Sequence, residues 1–250
     1  MRLASVTQAL ATVPVGLRVE GRAVLVVGAG PIAARKGAVY VNQGAVVTVV
    51  APEHSAEMDA LSVAARHHRP VEATDLDGVW LVVTATGDPT VDGWVYEQAE
   101  ARRIWCNAAD DPEHCSVILP AVSRKGPVTV AISTGGQSPA VASWLRRKVD
   151  ALLDADTLAV FEAAASARRT LRERGLPTEV PDWAEVLDGP AVDLVAAGKA
   201  DELESLLVDR VTRRAAAPSS SAPSDRECPG AEYSTDTLPI EGLQAMGGLR

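Results

Sequence analysis

Hydrophobic residues in the first half of the chain form short runs separated by longer amphipathic stretches. Four such runs predict strands that are buried on both faces of a sheet: 23–27, 46–50, 79–85 and 104–107. Three stretches between them predict helices: Pro31–Asn42, Ser55–Ala65 and Pro89–Arg103. Strands that alternate with helices of this length predict βαβ units and a parallel sheet.

The pattern changes after Pro112. Val117–Leu119 and Val128–Ile132 are β-prone and are separated by the polar segment Ser123–Gly126. Because no crossover helix fits between them, we expect an antiparallel pair. Ser138 then predicts a helix start, followed by proline in the first turn. One face of that helix repeats every four residues, at Val141, Leu145 and Val149.

The last third of the chain predicts a small helical region and a tail. Two apolar stripes mark the helices, one at Leu158, Phe161, Ala165 and Leu171 and the other at Leu203, Leu206, Leu207 and Val211. From Ala215 the sequence is rich in Ala, Pro and Ser, which predicts disorder. The expected organisation is a parallel-sheet domain over 1–113, a small α+β region over 114–153, a helical domain over 154–214 and a disordered tail over 215–250.

Composition narrows the possible partners of this 250-residue chain. The net charge of −9 argues against nucleic acid, because a phosphate backbone would be repelled. No apolar run approaches the roughly 20 residues that a membrane helix needs, so we expect no membrane contact. Three scattered cysteines do not form a disulfide framework, and the N-terminus has no signal-peptide pattern. The expected location is cytoplasmic.

A glycine-rich turn between the first strand and the first helix predicts a dinucleotide site. In Gly28-x-Gly30-x-x-Ala33, the first glycine permits a tight turn and the second lets a pyrophosphate approach the backbone. Ala33 is small enough for close packing of the helix on the strand. The helix N-terminus offers free N–H groups to phosphate. The alternative is a turn used only for packing, but the flanking strands favour a Rossmann-type domain.

The residue that selects the nucleotide is expected after the second strand. Glu53 follows that strand, where a carboxylate accepts hydrogen bonds from ribose hydroxyls and repels a 2′-phosphate. No arginine or lysine follows before Arg66. NAD is therefore favoured over NADP. The alternative is that Glu53 is a surface acid near a helix start.

Three segments together resemble the precorrin-2 dehydrogenase / sirohydrochlorin ferrochelatase family, the N-terminal module of siroheme synthases. They are Gly28–Lys36, Asn107–Pro112 and Ser133–Pro139, in this order and spacing. The resemblance implies oxidation of precorrin-2 to sirohydrochlorin with NAD⁺, followed in many members by insertion of ferrous iron to give siroheme. It also implies a homodimer, with residues 1–113 as the NAD-binding domain and 114–153 as the dimerisation region.

The resemblance also assigns roles to individual residues. Pro31, Ile32, Pro52 and Glu53 correspond to cofactor contacts of the family, beside Gly28, Gly30 and Ala33 of the turn. Asp110 corresponds to the acid whose loss harms both oxidation and iron insertion. A carboxylate at the end of a parallel strand can take the proton lost with the hydride. The alternative is that the segment beginning at Asp110 is merely a turn.

The substrate is expected to meet two segments. One holds Asn107. The other, after the β-prone pair, precedes a helix N-terminus and could hold carboxylates of the tetrapyrrole, with these residues as expected contacts: Thr134, Gly135, Gly136 and Ser138. The alternative is that its glycines only permit a tight dimer contact. Some relatives carry serine where this chain has Thr134.

No set of side chains has the spacing of a stable metal site, so iron is expected only as a substrate, with Asp110 as a transient contact. His114 is a candidate neighbour of Asp110 in chelation. Two other functions remain open. One is a dehydrogenase that relies on a separate chelatase. The other is a non-enzymatic NAD-sensing module, which would leave Asn107–Asp110 and Ser133–Pro139 unexplained.

Overall fold

The computed structural model describes residues 12–178 and 183–216. The chain divides into two compact units, the first ending at Leu158 and the second beginning at Ala159. The domain boundaries expected at 113 and 153 remain predictions. Within the described residues, no helix combines the length and the apolar character needed to cross a membrane.

The first unit contains the predicted parallel sheet. Its elements in chain order are β1 (Ala23–Val27), α1 (Pro31–Val41), β2 (Val46–Val50), α2 (Ala56–Asp59), β3 (Ala65–His67), β4 (Leu81–Thr84), α3 (Pro89–Arg102) and β5 (Trp105–Ala108). The five strands run parallel in the order β3-β2-β1-β4-β5. The strand order reverses between β1 and β4, and open α/β sheets bind their ligands beyond the carboxyl ends of the strands at such a point. The expected Rossmann-type fold is confirmed.

Alternate residues of each strand enter two separate cores, one on each face of the sheet. On the α1 face, Val26 and Val83 pack with Ala33. On the α3 face, Leu25 and Val82 are buried with other apolar side chains. Burial on both faces explains why these strands read as continuous apolar runs rather than as an alternating pattern.

The helix predicted over Ser55–Ala65 is wrong in length. The α2 helix ends at Asp59, and Ala65–His67 forms β3 on the edge of the sheet, paired with β2. The Arg66 guanidinium donates to the carbonyl oxygens of Met58 and Asp59, at 3.3 and 3.1 Å. These bonds satisfy carbonyls at the end of α2, and strand pairing captures the residues that local propensity assigned to the helix.

The antiparallel pair exists, but one of its predicted strands is wrong. Val128–Ile132 forms β7, and its partner is β6 (Ala121–Lys125) rather than Val117–Leu119. The two-residue turn begins at Gly126, whose φ of 50° is in the left-handed region, and it fixes the register. Val117 instead donates its backbone N–H to Cys106, at 3.0 Å.

The helix predicted from Ser138 is α4 (Pro139–Leu152), which packs on β6. The buried Ser123 hydroxyl donates to Asp150 Oδ1 at 2.5 Å, and Arg146 bonds the other carboxylate oxygen at 2.7 Å. The residue of α4 that is buried is Ala142, whereas Val141 of the predicted apolar face is 45% exposed. The predicted apolar face is therefore only partly covered by the residues that the structure describes.

The second unit is helical, as expected. The α5 helix (Ala155–Glu173) leads into it, followed by α6 (Trp183–Leu187), α7 (Ala191–Ala196) and α8 (Ala200–Ala216). The predicted α8 stripe is correct, with Leu203, Leu207 and Val211 buried and Leu206 half-buried. The predicted α5 stripe is wrong at Phe161, which is 39% exposed. The buried positions of α5 are Ala163, Ala167 and Leu171. Residues 217–250 of the predicted tail lie outside the described residues.

Candidate functional site

The turn after β1 is built on a glycine that no other residue could replace without strain. Gly28 has a φ of 97°, and its N–H donates to Val50 at 3.0 Å. A Cβ added at Gly28 would lie 2.4 Å from the carbonyl oxygen of Ala85. The turn is thus pressed against the loop that follows β4, at the point where the strand order reverses.

The second glycine of the turn faces open space. Gly30 has φ −76° and ψ 177°, and a Cβ added there would meet no heavy atom within 4 Å. Pro31 and Ile32 are exposed at the start of α1, whereas Ala33 is fully buried. The first turn of α1 contains no acidic residue. The helix N-terminus and the free space before it fit a diphosphate.

The loop after β2 lies beside this turn. Ser55 donates its backbone N–H to the carbonyl of Ala29 at 2.9 Å and accepts from Met58 as the N-cap of α2. Pro52 and Glu53 are both exposed. The hydrogen bond from Ser55 therefore holds the Glu53 loop against the glycine turn, as a ribose contact requires.

Both arginines that follow β2 already have partners. Arg66 bonds the carbonyls at the end of α2, and Arg69 binds Asp75 through two hydrogen bonds of 2.8 and 2.6 Å. The Arg69 guanidinium lowers the pKa of the Asp75 carboxyl. Neither guanidinium is free to bind a 2′-phosphate near Glu53, which strengthens the preference for NAD over NADP.

A buried acid fixes the loop after β4. The Asp92 carboxylate, 7% exposed, accepts from the hydroxyl of Thr84 and from both the hydroxyl and the N–H of Thr86. These bonds hold the segment that contains Ala85, against which Gly28 packs. Sequence reasoning missed Asp92. The available signal was an acid in the first turn of α3 with two threonines just before that helix.

Two adjacent acids follow β5, and the structure separates them. Asp110 is exposed with a φ of 60°, a conformation that Asp tolerates better than most residues. Asp111 instead caps the 3₁₀ turn Pro112–His114, and its Oδ2 lies 2.6 Å from His114 Nδ1. The His114 ring is therefore hydrogen-bonded to Asp111, and its expected part in chelation beside Asp110 remains a prediction.

The hydrogen bond between Asp111 and His114 shifts the pKa of both side chains. The hydrogen bond to His114 lowers the pKa of the Asp111 carboxyl. The same bond, together with the charge of Asp111, raises the pKa of the His114 imidazole. Asp110 therefore remains the acid of this pair without a hydrogen-bond partner among the described residues, and it is the one available to a substrate.

A lysine that sequence reasoning left without a role reaches the end of β5. Lys36 of α1 donates to Asn107 Oδ1 at 2.8 Å, and Asn107 Nδ2 donates to the carbonyl of Val117, also at 2.8 Å. Burial lowers the pKa of Lys36, and the negative charge of Asp110 acts in the opposite direction. Asn107 is 4% exposed. Its amide is engaged within the protein, and its predicted contact with substrate remains a prediction.

The segment before α4 forms a tight, self-bonded turn. Gly135 and Gly136 have φ values of 60° and 80°. The Thr134 hydroxyl donates to the carbonyl of Ser138 at 3.2 Å and accepts from its N–H at 3.1 Å. Ser138 Oγ in turn accepts from Val141 as the N-cap. Both hydroxyls thus shape the helix start, and their proposed contact with substrate remains a prediction.

Potential metal ligands are dispersed in the described parts of the chain, where no group of three or more His, Cys, Asp or Glu side chains could hold a metal ion. The His54 side chain is 1% exposed and stacks on His68 with ring centroids 4.0 Å apart. Cys115 donates its thiol to the carbonyl of Ala108 at 3.1 Å, beside Asn107.

Comparisons with known proteins agree with this geometry. Residues 15–121 match the family model described as "Putative NAD(P)-binding", and residues 125–152 match the model of the sirohaem biosynthesis protein central domain. The siroheme synthase of Photorhabdus laumondii is 33% identical over 199 residues, 78% of this chain and 42% of that protein. The siroheme synthase of Pseudomonas fluorescens is 34% identical over 205 residues, 79% of this chain and 44% of that protein.

A solved structure is also similar. The structure of SirC, a precorrin-2 dehydrogenase, superposes with a TM-score of 0.61 at 26% identity, covering 79% of this chain and 100% of that one. The chain spans less than half the length of the curated siroheme synthases that it matches.

Proposed function

The chain belongs to the precorrin-2 dehydrogenase / sirohydrochlorin ferrochelatase family, and from this premise we propose that it oxidises precorrin-2 to sirohydrochlorin with NAD⁺. The observation that carries the proposal is Asp110. This exposed carboxylate follows β5, and the carboxyl ends of β1, β4 and β5 share one edge of the parallel sheet. A carboxylate and a dinucleotide-binding turn at the same edge of the sheet place a proton acceptor beside the binding site of the oxidant.

The residues of the turn fit NAD. Gly28 sets the turn. The diphosphate occupies the open space beside Gly30, at the N-terminus of α1. Glu53 accepts hydrogen bonds from the ribose hydroxyls, while Pro31, Ile32 and Pro52 line the exposed edges of the same site. When bound, NAD⁺ supplies the hydride acceptor.

Removal of two hydrogens from precorrin-2 leaves a proton to be taken up. The proton would go to the carboxylate of Asp110, and bound NAD⁺ would supply the acceptor for the hydride and its electron pair. The carboxylates of the tetrapyrrole are held by the segment before α4, where Gly135 and Gly136 bring backbone close to the ligand. Thr134 and Ser138 support that turn.

We extend the proposal to iron insertion in the same site. Ferrous iron replaces two pyrrole protons of sirohydrochlorin. Asp110 contacts the incoming ion and accepts one of these protons, and the other passes to water. Iron is here a substrate, released within siroheme. A dehydrogenase that lacks this second step would use the same residues, so the two alternatives differ in outcome rather than in site.

One incubation tests these alternatives. The purified chain is mixed with precorrin-2 and NAD⁺, and ultraviolet-visible spectra are followed before and after addition of ferrous iron. We expect NADH and sirohydrochlorin first and siroheme after iron. Sirohydrochlorin that persists after iron is added would mean that the chain is a dehydrogenase without chelatase activity. NAD⁺ binding without any spectral change would refute the enzyme and favour the sensing module.

We also propose a homodimer in the cytoplasm. Val141, Trp144 and Leu152 of α4 are 45%, 49% and 70% exposed in the single chain. A partner that covers them would remove an apolar stripe from water. The cysteines within the described residues, Cys106 and Cys115, are free thiols, as is typical of a reducing compartment.

A further inference from the structure

We propose that Lys36 is a positioning residue, which holds the end of β5, and with it Asp110, in place relative to the helix that begins at the cofactor turn. The inference rests on the proposed oxidation and assigns a role to a side chain that the proposed chemistry does not use.

The first support is a hydrogen bond that spans the site. The α1 helix begins at Pro31, directly after the turn that faces the diphosphate, and Lys36 lies in its second turn. Its ammonium donates to Asn107 Oδ1 at 2.8 Å across 71 residues of sequence. Asn107 is held on its other side by Val117, at 2.8 Å. The amide therefore connects α1, β5 and the segment after β5.

The second support is the partial burial of the ammonium. A lysine on a helix surface can extend its stem to place its charge in water. Lys36 is instead partly buried, and its hydrogen bond in the described part of the chain goes to a neutral amide. Desolvation disfavours this charge, and the negative charge of Asp110 favours it. An ammonium kept in this position holds the Asn107 amide, which precedes that acid in the chain.

The third support is the short path from Asn107 to Asp110. Three residues along the chain lead from the clamped amide to the exposed carboxylate, which has a φ of 60°. Along this path Ala109 donates its N–H to Thr84 at 2.8 Å. Because the segment is bonded to β4 and tied to α1, a shift at Asn107 moves Asp110 relative to the nicotinamide. A misplacement of about 1 Å can lower a rate about 100-fold.

The test uses the full chain and three variants. Lys36→Met removes the ammonium, Lys36→Arg keeps a charged donor, and Lys199→Met is a matched control that loses a lysine from an exposed ion pair with Glu202. Hydrogen–deuterium exchange is measured without cofactor over residues 107–117. Precorrin-2 oxidation and NAD⁺ binding are measured in parallel.

We expect Lys36→Met to accelerate exchange over residues 107–117 and to lower kcat about 100-fold, while the KM for precorrin-2 and the Kd for NAD⁺ change by less than about twofold. Lys36→Arg restores most of kcat, and Lys199→Met changes none of these values. Should Lys36→Met fail to fold, Lys36→Gln, whose side chain is too short to span to Asn107, replaces it in the same comparison.

Two results overturn the inference: unchanged exchange over residues 107–117, or a kcat that stays within about twofold of the unaltered chain when the exchange changes. Failure of the proposed function is a separate result. In that case the unaltered chain does not oxidise precorrin-2 at all, and the exchange experiment still decides whether Lys36 holds the end of β5.

Discussion

A methyl group at Gly28 would lie 2.4 Å from the carbonyl oxygen of Ala85. This contact joins the cofactor turn to the loop after β4, and it coincides with a φ of 97°. Gly28→Ala is therefore expected to lower the free energy of unfolding by at least about 2 kcal/mol, since backbone strain adds to the overlap. Chemical denaturation measures this loss.

Gly30→Ala is the matched comparison. Its added methyl meets no heavy atom within 4 Å, and its φ of −76° suits alanine. We expect unfolding close to that of the unaltered chain but weaker NAD⁺ binding, because the methyl occupies the approach of the diphosphate. Titration calorimetry measures the affinity. Unimpaired NAD⁺ binding by Gly30→Ala would show that the diphosphate binds elsewhere.

Asp110→Asn is expected to lower kcat for precorrin-2 oxidation by about 100- to 10,000-fold, because the amide cannot take up the proton. NAD⁺ binding should persist, since the residue follows β5 rather than the glycine turn. Asp77→Asn, which loses an exposed acid paired with Arg102, is the control. Near-normal turnover of Asp110→Asn would exclude this residue as the base.

Glu53→Gln is expected to weaken NAD⁺ binding and to narrow the preference over NADP⁺. A neutral amide accepts weaker hydrogen bonds from the ribose and no longer repels a 2′-phosphate. Arg66 and Arg69 cannot supply a phosphate site, because each already has partners. The two affinities are compared with those of Glu57→Gln, an exposed acid of α2. Equal NADP⁺/NAD⁺ ratios in all three proteins would remove Glu53 from this role.

The pair of Asp111 and His114 predicts a pH dependence of stability. The raised pKa of His114 stabilises the fold below the ordinary value of 6.5, and this contribution is lost as pH rises through the folded value. The lowered pKa of Asp111 stabilises the fold at pH values above the ordinary pKa of 3.8, and this contribution is lost as pH falls through the pKa in the folded state. The contribution is greatest between these ordinary values.

NMR titration checks this prediction directly. In Asp111→Asn the pKa of the His114 ring should fall toward its ordinary value, because the carboxylate that favours the imidazolium is absent. The difference in unfolding midpoint between this variant and the unaltered chain should be largest near pH 5, inside the window set by the two ordinary values. A His114 titration that does not move would contradict the pairing.

The exposed stripe of α4 predicts how the dimer forms. Trp144→Ala should weaken self-association, measured by analytical ultracentrifugation, because it removes the largest side chain of the stripe. Trp80→Ala is the control, because Trp80 is also half-exposed, at 55%. It lies under the Arg22 guanidinium at the amino ends of the parallel strands, outside α4. Equal dimer dissociation constants for both variants would place the interface elsewhere.

Periodicity and turn chemistry in the sequence were enough to predict the parallel sheet. The runs 23–27 and 46–50 are continuous because both faces of the sheet are covered, and Gly28 has no tolerable replacement. The apolar runs and the glycine pattern each lie within a short segment, so the sequence displays both, whereas the contact of Gly28 with Ala85 is visible only in the structure. The three-residue strand β3 was missed because pairing with β2, a contact between distant segments, outweighed helix propensity.

The order of residues by itself determined the Rossmann-type fold, the glycine turn and the candidate acids, because each depends on neighbours within a few positions. Only the tertiary structure decided that Asp111 is engaged with His114 while Asp110 is left exposed, and that Lys36 reaches Asn107. These relationships depend on side-chain direction and on contacts across the sheet. Neither is encoded in the spacing of residue types along the chain.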